Sequence, residues 1–251
     1  MPDDEARKRF EEYFYIFPWG DLPENAEGFD MGCGSGRWAL WVAPRVGHLH
    51  CIDPSDAIDV AKARLVDLDN VTFHRKSVDE QFLPLGSQDF GYSLGVLHHV
   101  PETQTAIRSC VDLLKSGAPL LLYLYYAFDN RSWWFRSLWR LSDLGRRFIC
   151  KLPSMPKHIV TDLIALVVYL PLVTTSRVLE WIGFNVANIP LSYYRNYSFY
   201  TMRTDARDRF GTPMEHRFKR LQIAKMMEQA GLVNIRFFEN APFWCVVGVK
   251  R

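Results

Sequence analysis

The sequence predicts an α/β fold, with a mostly parallel sheet covered by helices on both faces. Three observations carry this. Apolar runs at 48–53 and 71–75 alternate with helical stretches near 37–45 and 56–68, the pattern of strands joined by crossover helices. Glycines 32, 34 and 36 join the end of a first strand to the start of a helix. The alternation stops at Ala127 and resumes near Phe218, so about ninety residues read as an inserted, mainly helical cap. The expected division is a core of 1–126 and 217–251 with a cap of 127–216.

Each element follows in chain order. Phe10, Tyr13, Phe14 and Phe17 recur at helical spacing, which predicts a helix over about 7–17 that packs on the sheet edge. Phe29-Asp30-Met31 ends the first strand. In Gly32-Cys33-Gly34-Ser35-Gly36 the missing Cβ atoms let the backbone turn sharply and lie against a ligand. Cys51-Ile52-Asp53-Pro54-Ser55 ends the second strand in a carboxylate, where an acid accepts from both hydroxyls of a ribose. These features point to an adenosine-containing cofactor. A dinucleotide site wants its third glycine at position 37, and that residue is Arg37. Asp30, two residues before the first glycine, suits a cationic ligand instead. Right-handed crossovers set the ligand beyond the carboxyl ends of the strands. Asp30, Asp53, Asp79 and Gly95 all fall at such ends, so one pocket is expected to collect them.

The bulk properties narrow the class. The chain has 251 residues, 48% of them hydrophobic and 23% charged, which is globular composition with room for a large core. A net charge of +2 gives no ground for a nucleic-acid partner. Five scattered cysteines without a Cys-x-x-Cys pair imply reduced thiols, no zinc site and a cytoplasmic location. The charged first ten residues do not read as a signal peptide.

Within the cap, residues 131–157 hold five Arg and two Lys against one acid, Asp143, interleaved with Trp133, Trp134, Phe135, Trp139 and Phe148. Residues 163–173 form an almost continuous apolar run, shorter than the ~20 residues a bilayer span needs. The plain expectation is a buried cap helix. The sharper one is an interfacial element, with peripheral contact at the inner membrane surface through 131–173.

The Asp-x-Gly-x-Gly-x-Gly pattern of Asp30 to Gly36 resembles motif I of class I S-adenosylmethionine-dependent methyltransferases, and the likeness continues. Val71 to His74 looks like the third strand, and Ser77-Val78-Asp79-Glu80 like the adenine-contact stretch. Gln88 to Pro101 is similar to the fourth strand and following loop of the type 11 branch. Ala106 to Lys115 then reads as a helix and Leu120 to Tyr126 as the fifth strand. A weaker echo from Arg217 includes a helix ended by Gly231 and a hairpin of Ile235 to Phe238 with Phe243 to Val249. The match covers about 28–126.

The resemblance implies a Rossmann-like, seven-stranded, mostly parallel sheet with a C-terminal antiparallel hairpin and the cap after the fifth strand. It implies S-adenosyl-L-methionine as cofactor and S-adenosyl-L-homocysteine as product. Asp30, Gly32, Gly34, Gly36, Asp53, Pro54, Ser55, Val78, Asp79, Glu80, Leu94 and Gly95 are the expected cofactor contacts. His98 and His99 are candidate bases, His98 preferred, although adjacent histidines also serve as packing residues. Tyr126, Tyr194, Tyr197 and Arg203 are candidate substrate contacts, with core packing and surface pairing the plainer readings. No metal site is expected.

Leu94 to His99 lacks the Asn/Asp-Pro-Pro-aromatic motif of amino-group methylation, and the cysteines are not spaced for arsenite. The first expectation is methyl transfer to a small or amphiphilic acceptor at oxygen. The rival is a non-catalytic cofactor-binding scaffold whose cap holds a partner; an NAD-dependent oxidoreductase is disfavoured by Arg37. Oligomeric state is left open by these motifs.

Overall fold

The computed structural model describes residues 3–251, with side chains from Glu5 onward. The chain forms two compact units. One comprises Ala6–Ala127 and His216–Arg251; the other comprises Phe128–Glu215 with the described chain up to Glu5.

The strands are β1 (Glu27–Met31), β2 (His48–Ile52), β3 (Val71–His74), β4 (Phe90–Leu94), β5 (Pro119–Tyr123), β6 (Leu232–Phe237) and β7 (Cys245–Lys250). The α-helices are α1 (Asp3–Tyr13), α2 (Ala39–Val42), α3 (Ala57–Arg64), α4 (Thr103–Leu113) and α5 (Trp133–Ile149). They continue with α6 (Ser154–Ile164), α7 (Leu170–Trp181), α8 (Phe199–Gly211) and α9 (Arg220–Gln229).

The sheet runs in the order β3-β2-β1-β4-β5-β7-β6. The first five strands are parallel, and β7 enters antiparallel between β5 and β6. Strand order reverses beside β1, which is where doubly wound sheets take their ligands. The C-terminal pair is the expected hairpin, with a bulge between Val233 and Arg236.

Glu27-Gly28-Phe29 makes a sound strand because aromatic rings replace the missing side chains. Gly28 pairs with Phe90 and Phe29 with Gly91 across β1 and β4. Each ring lies on the neighbouring glycine: a Cβ on Gly28 would stand 2.3 Å from the Phe90 ring, and one on Gly91 2.2 Å from Phe29. Aromatic cover of this kind offsets the weakness of glycine in a strand.

Helix α1 runs four residues earlier than the expected 7–17 at both ends. The aromatic spacing outlasts the helix, because the chain turns at Phe14 to Phe17 and Phe17 still packs on Phe90. The helix also covers the face of the sheet and not its edge: Phe14 lies 5.1 Å from Tyr92 and Tyr13 4.9 Å from Tyr123. The helix expected at 37–45 is only α2 with a 3-10 turn at Ala43–Arg45, since Pro44 has no N–H to continue it. On the opposite face, Ile107 and Val111 of α4 and Ile223 and Met227 of α9 bury Phe29, Leu120 and Leu122.

The second unit is helical. From Ser154 to Trp181 the helix is continuous for 28 residues through a π-helical stretch at Ala165–Tyr169. Ala165, Tyr169 and Val173 meet Met202, Ala206 and Phe210 of α8. Glu5 caps α8, accepting from Ser198 N at 2.6 Å, Ser198 Oγ at 3.0 Å and Thr201 Oγ1 at 2.7 Å. Arg207 grips Asp162 with two bonds of 2.7 Å.

The expectation that 163–173 is a buried helix is overturned. Only Ala165, Tyr169 and Val173 are enclosed, while Leu163, Leu166, Val167 and Val168 remain 45–66% exposed. The run is apolar all round, and α8 covers one narrow stripe of it.

Gly91→Ala should lower stability by about 1–3 kcal/mol, because the added methyl must displace the Phe29 ring. Thermal melting checks this; an unchanged midpoint would mean that the ring has somewhere else to go.

Candidate cofactor and acceptor site

The rim is assembled from the carboxyl ends of β1, β2, β4 and β5. After β1 the chain turns over Ile52, whose carbonyl accepts from Gly32 N at 2.8 Å and Cys33 N at 2.9 Å. Gly32, Gly34 and Gly36 all have positive φ (83°, 52° and 71°), which side-chain-bearing residues rarely adopt. A Cβ on Gly32 would lie 2.4 Å from Val96, and one on Gly36 3.0 Å from Leu65 and 3.2 Å from Ala61 on the side of α3. Around Gly34 nothing lies within 4 Å of that position. Packing therefore requires the outer glycines, while the middle one faces open space.

Asp53 ties the turn to β2. Its Oδ2 accepts from Gly34 N at 2.8 Å, and its Oδ1 from Ser55 N at 2.9 Å and Ser55 Oγ at 2.5 Å. A carboxylate has about four acceptor positions. With three filled, Asp53 can take one further hydroxyl; a grip on both ribose hydroxyls requires Ser55 Oγ to turn away. Pro54 and Ser55 themselves are exposed beside it.

Asp30 is the unusual member. It is 1% exposed, and among the described residues neither carboxylate oxygen has a hydrogen-bond partner. Burial pushes its pKa up to about 8; the nearby Tyr92 phenol tempers the rise and Asp53 adds to it. A buried carboxyl without a partner is costly, and a ligand cation would repair it. The open middle glycine, the remaining acceptor of Asp53 and this orphaned acid together fit a sulfonium nucleoside with an ammonium group.

The other expected contacts are spread along the same edge. Asp53 N donates to His74 O at 3.1 Å, which joins the ends of β2 and β3. Val78 packs against the apolar core beyond that point. Asp79 and Glu80 lie on an exposed turn. The Ser77 hydroxyl holds Asp79 below the usual carboxylate range, and Glu80 accepts from Lys76 Nζ and Ser77 N, both at 2.8 Å. Leu94 is buried, and Gly95, at φ 80°, donates to Tyr123 O at 3.1 Å. The glycine turn and Asp53 are thus directly tied, with Asp30 near Asp53 at the end of β1, whereas Asp79 and Glu80 occupy a separate turn.

Beyond Gly95 lies a basic and aromatic cluster. His98 is fully buried and stacks on Tyr125 with ring centroids 3.7 Å apart; His99 lies 4.1 Å from His98. Both ring nitrogens of His98 lack a hydrogen-bond partner among the described residues. Burial first, then the neighbouring His99, Arg217 and His216, depress its pKa well below the ordinary value. The chain returning at 216 closes the cluster: His216 N donates to His98 O at 2.9 Å, and Arg217 reaches Tyr126 O at 3.2 Å with its guanidinium 5.0 Å from the Tyr125 ring centroid. Sequence reading missed His216 and Arg217. Nothing local marks them, because more than a hundred residues of sequence separate them from His98.

Of the candidate substrate contacts, Tyr126 belongs to this unit, where it pairs with Phe218 and packs on Phe243. Tyr194, Tyr197 and Arg203 belong to the helical unit. There Tyr194 packs on Tyr169, Tyr197 is buried and donates to the Tyr193 hydroxyl at 3.2 Å, and Arg203 lies over the Tyr200 ring. Among the described residues no group of three His, Cys, Asp or Glu is arranged to hold a metal ion.

Residues 29–122 match the family model described as a methyltransferase domain. The chain is 32% identical over 106 residues to a ubiquinone biosynthesis O-methyltransferase of Nitrosomonas europaea, covering 41% of this chain and 43% of the relative. It is 30% identical over 146 residues to the protein of that name in Xanthomonas axonopodis pv. citri, covering 57% and 58%. The chain thus spans about half the length of these curated relatives. Among solved structures, phosphoethanolamine N-methyltransferase 2 of Haemonchus contortus, with S-adenosylhomocysteine bound, superimposes with TM-score 0.52 at 15% identity over 91% of this chain and 38% of that one. A Bacillus halodurans protein described as a methyltransferase gives TM-score 0.53 at 16% identity over 92% and 72%. At such identities the structures show a shared fold. Residues 29–122 thus match a methyltransferase domain, and the sheet that contains them has the fold of these solved methyltransferases.

Proposed function

We propose that this protein transfers the methyl group of S-adenosylmethionine to an oxygen of a small or amphiphilic acceptor. His98 carries the reading: a buried imidazole, its pKa depressed, with both nitrogens unpartnered among the described residues, just beyond the turn at Gly95. When bound, the cofactor supplies an electrophilic methyl on a sulfonium.

Asp30 would neutralise the ligand's ammonium, the glycine turn would carry its methionine end, and Asp53 would take a ribose hydroxyl. Val78, Asp79 and Glu80 are read as the adenine side of the site. His98 would accept the acceptor's hydroxyl proton as that oxygen gains the methyl, while Tyr125 stacks behind the imidazole and holds its plane. Burial, followed by His99, Arg217 and His216, keeps His98 uncharged beforehand, and the Arg217 guanidinium would favour an acceptor whose oxygen becomes anionic. Curated relatives named as O-methyltransferases support transfer to oxygen. The five cysteines, all free thiols, support a reducing, cytoplasmic setting. Peripheral membrane contact through 131–173 completes the reading and suits an amphiphilic acceptor.

Asp53→Ala should raise the Kd for S-adenosylmethionine roughly ten- to a hundred-fold, the value of a hydrogen bond to a charged group. Isothermal titration measures it; unchanged affinity would remove Asp53 from the site. His98→Gln should lower kcat on the order of a hundred-fold or more and leave that Kd intact. The wild-type acidic limb should lie below the ordinary histidine range, because the base stays unprotonated until its depressed pKa is reached. Full turnover by the variant would place proton removal elsewhere.

Burial raises the Asp30 pKa to about 8, and pairing with a cation would lower it again. Cofactor binding at pH 7 should therefore release about one proton, and affinity should rise as pH climbs toward 8. Titrations in buffers of different ionisation enthalpy read this directly. Asp30→Asn should release none, and a wild type with no buffer dependence would mean that Asp30 does not meet the cation.

A further inference from the structure

The Phe128–Glu215 unit is built inside out. On α5 the enclosed side chains are Asp143 and Arg146, 7% and 6% exposed, joined by a 2.7 Å bond. Arg146 also donates to Thr212 O at 2.9 Å and Pro213 O at 3.2 Å. Its outer face carries Trp134, Leu138, Leu141 and Phe148, the last two 66% and 74% exposed. These four recur at spacings of four, three and seven, one continuous stripe. The 28-residue helix of Ser154–Trp181 repeats the inversion. It buries Thr161, Ala165, Tyr169, Val173 and Ser176, and leaves Ile159, Leu163, Val167 and Trp181 outward.

Water penalises this arrangement, because long apolar side chains stay hydrated while polar ones are enclosed. Something must cover both faces. Charge identifies the cover. Arg136, Arg140 and Arg147 are exposed along one border of the α5 stripe, and Lys151 follows. The only acid between 131 and 157 is Asp143, which is buried. A second copy seated across a two-fold axis on this border would set these cations against their own counterparts. Anionic headgroups would meet them with the opposite sign.

Length fixes the mode. Between Asp162 and Arg177 no side chain is charged, a stretch of about 21 Å at ~1.5 Å per residue. That falls short of the ~30 Å hydrocarbon core. A crossing would pull one of those charges into it.

We propose that this unit is a monotopic anchor: α5 and the Ser154–Trp181 helix lie in the plane of one leaflet of an anionic bilayer, apolar faces down and arginines at headgroup level. The proposal rests on the membrane-contact part of the reading above and names its partner; it is independent of cofactor binding.

The test is flotation of the full chain with phosphatidylcholine vesicles and with vesicles containing phosphatidylglycerol, with S-adenosylmethionine titration in parallel. The wild type should float with the anionic vesicles, less so in high salt, and bind neutral ones at least ten-fold more weakly. Leu141→Glu/Phe148→Glu should lose flotation at least ten-fold while keeping wild-type cofactor affinity, which shows that the variant is folded. Brominated lipid should quench the wild-type tryptophan emission. Equal binding to neutral vesicles would overturn the anionic partner. No flotation, or a lipid-free dimer that the double variant dissociates, would overturn the anchor. The cofactor titration stands or falls separately, so loss of one reading is distinguishable from loss of the other.

Discussion

The carboxylate of Asp53 holds the rim of the sheet together. It takes the Gly34 amide from one strand end and the Ser55 amide and hydroxyl from the next, so the turn after β1 and the turn after β2 cannot move independently. The Ile52 carbonyl reinforces this by accepting from Gly32 and Cys33. Positive φ at the three glycines is the condition for that geometry, and the contacts of Gly32 with Val96 and of Gly36 with α3 leave no room for a side chain. Only Gly34 stands clear. A rigid turn with one open position is what close approach to a ligand backbone requires.

Next to this satisfied carboxylate lies an unsatisfied one. Asp30 is buried without a hydrogen-bond partner among the described residues, and the same rim carries His98 in a similar state. Folded proteins rarely tolerate such groups unless a ligand completes them. The two orphans differ in kind: an acid whose pKa burial raises and a base whose pKa burial, foremost, depresses. In the proposed reading the acid would ionise toward the cofactor's cation and the base would collect the acceptor's proton.

The two units obey opposite solvation rules. The sheet buries Phe29, Leu120 and Leu122 beneath its helices in the ordinary way, and even its glycines are covered by rings. The helical unit encloses Asp143, Arg146, Thr161 and Ser176 and turns Leu141, Phe148 and Trp181 outward. Composition alone does not reveal this inversion. Burial does, because it reports which face each helix spends on its neighbours.

Much of the fold was legible in the residues. The glycine spacing, the acids closing the first two strands and the strand–helix alternation specify local geometry, and local geometry is encoded by neighbours in the chain. Boundaries were less legible: Pro44 cut α2 short, and the α1 aromatics kept helical spacing beyond the helix itself. What only the folded molecule decided were the long-range meetings. His216 and Arg217 reach His98 and Tyr125 from about ninety residues or more along the chain, the Asp30 carboxyl loses its solvent when the sheet closes, and the 163–173 run finds one stripe of cover where a core helix would find more. Spacing along a chain sets which side chains share a face. Which face is then buried depends on partners far away in sequence, and the chemistry of the site follows from that burial.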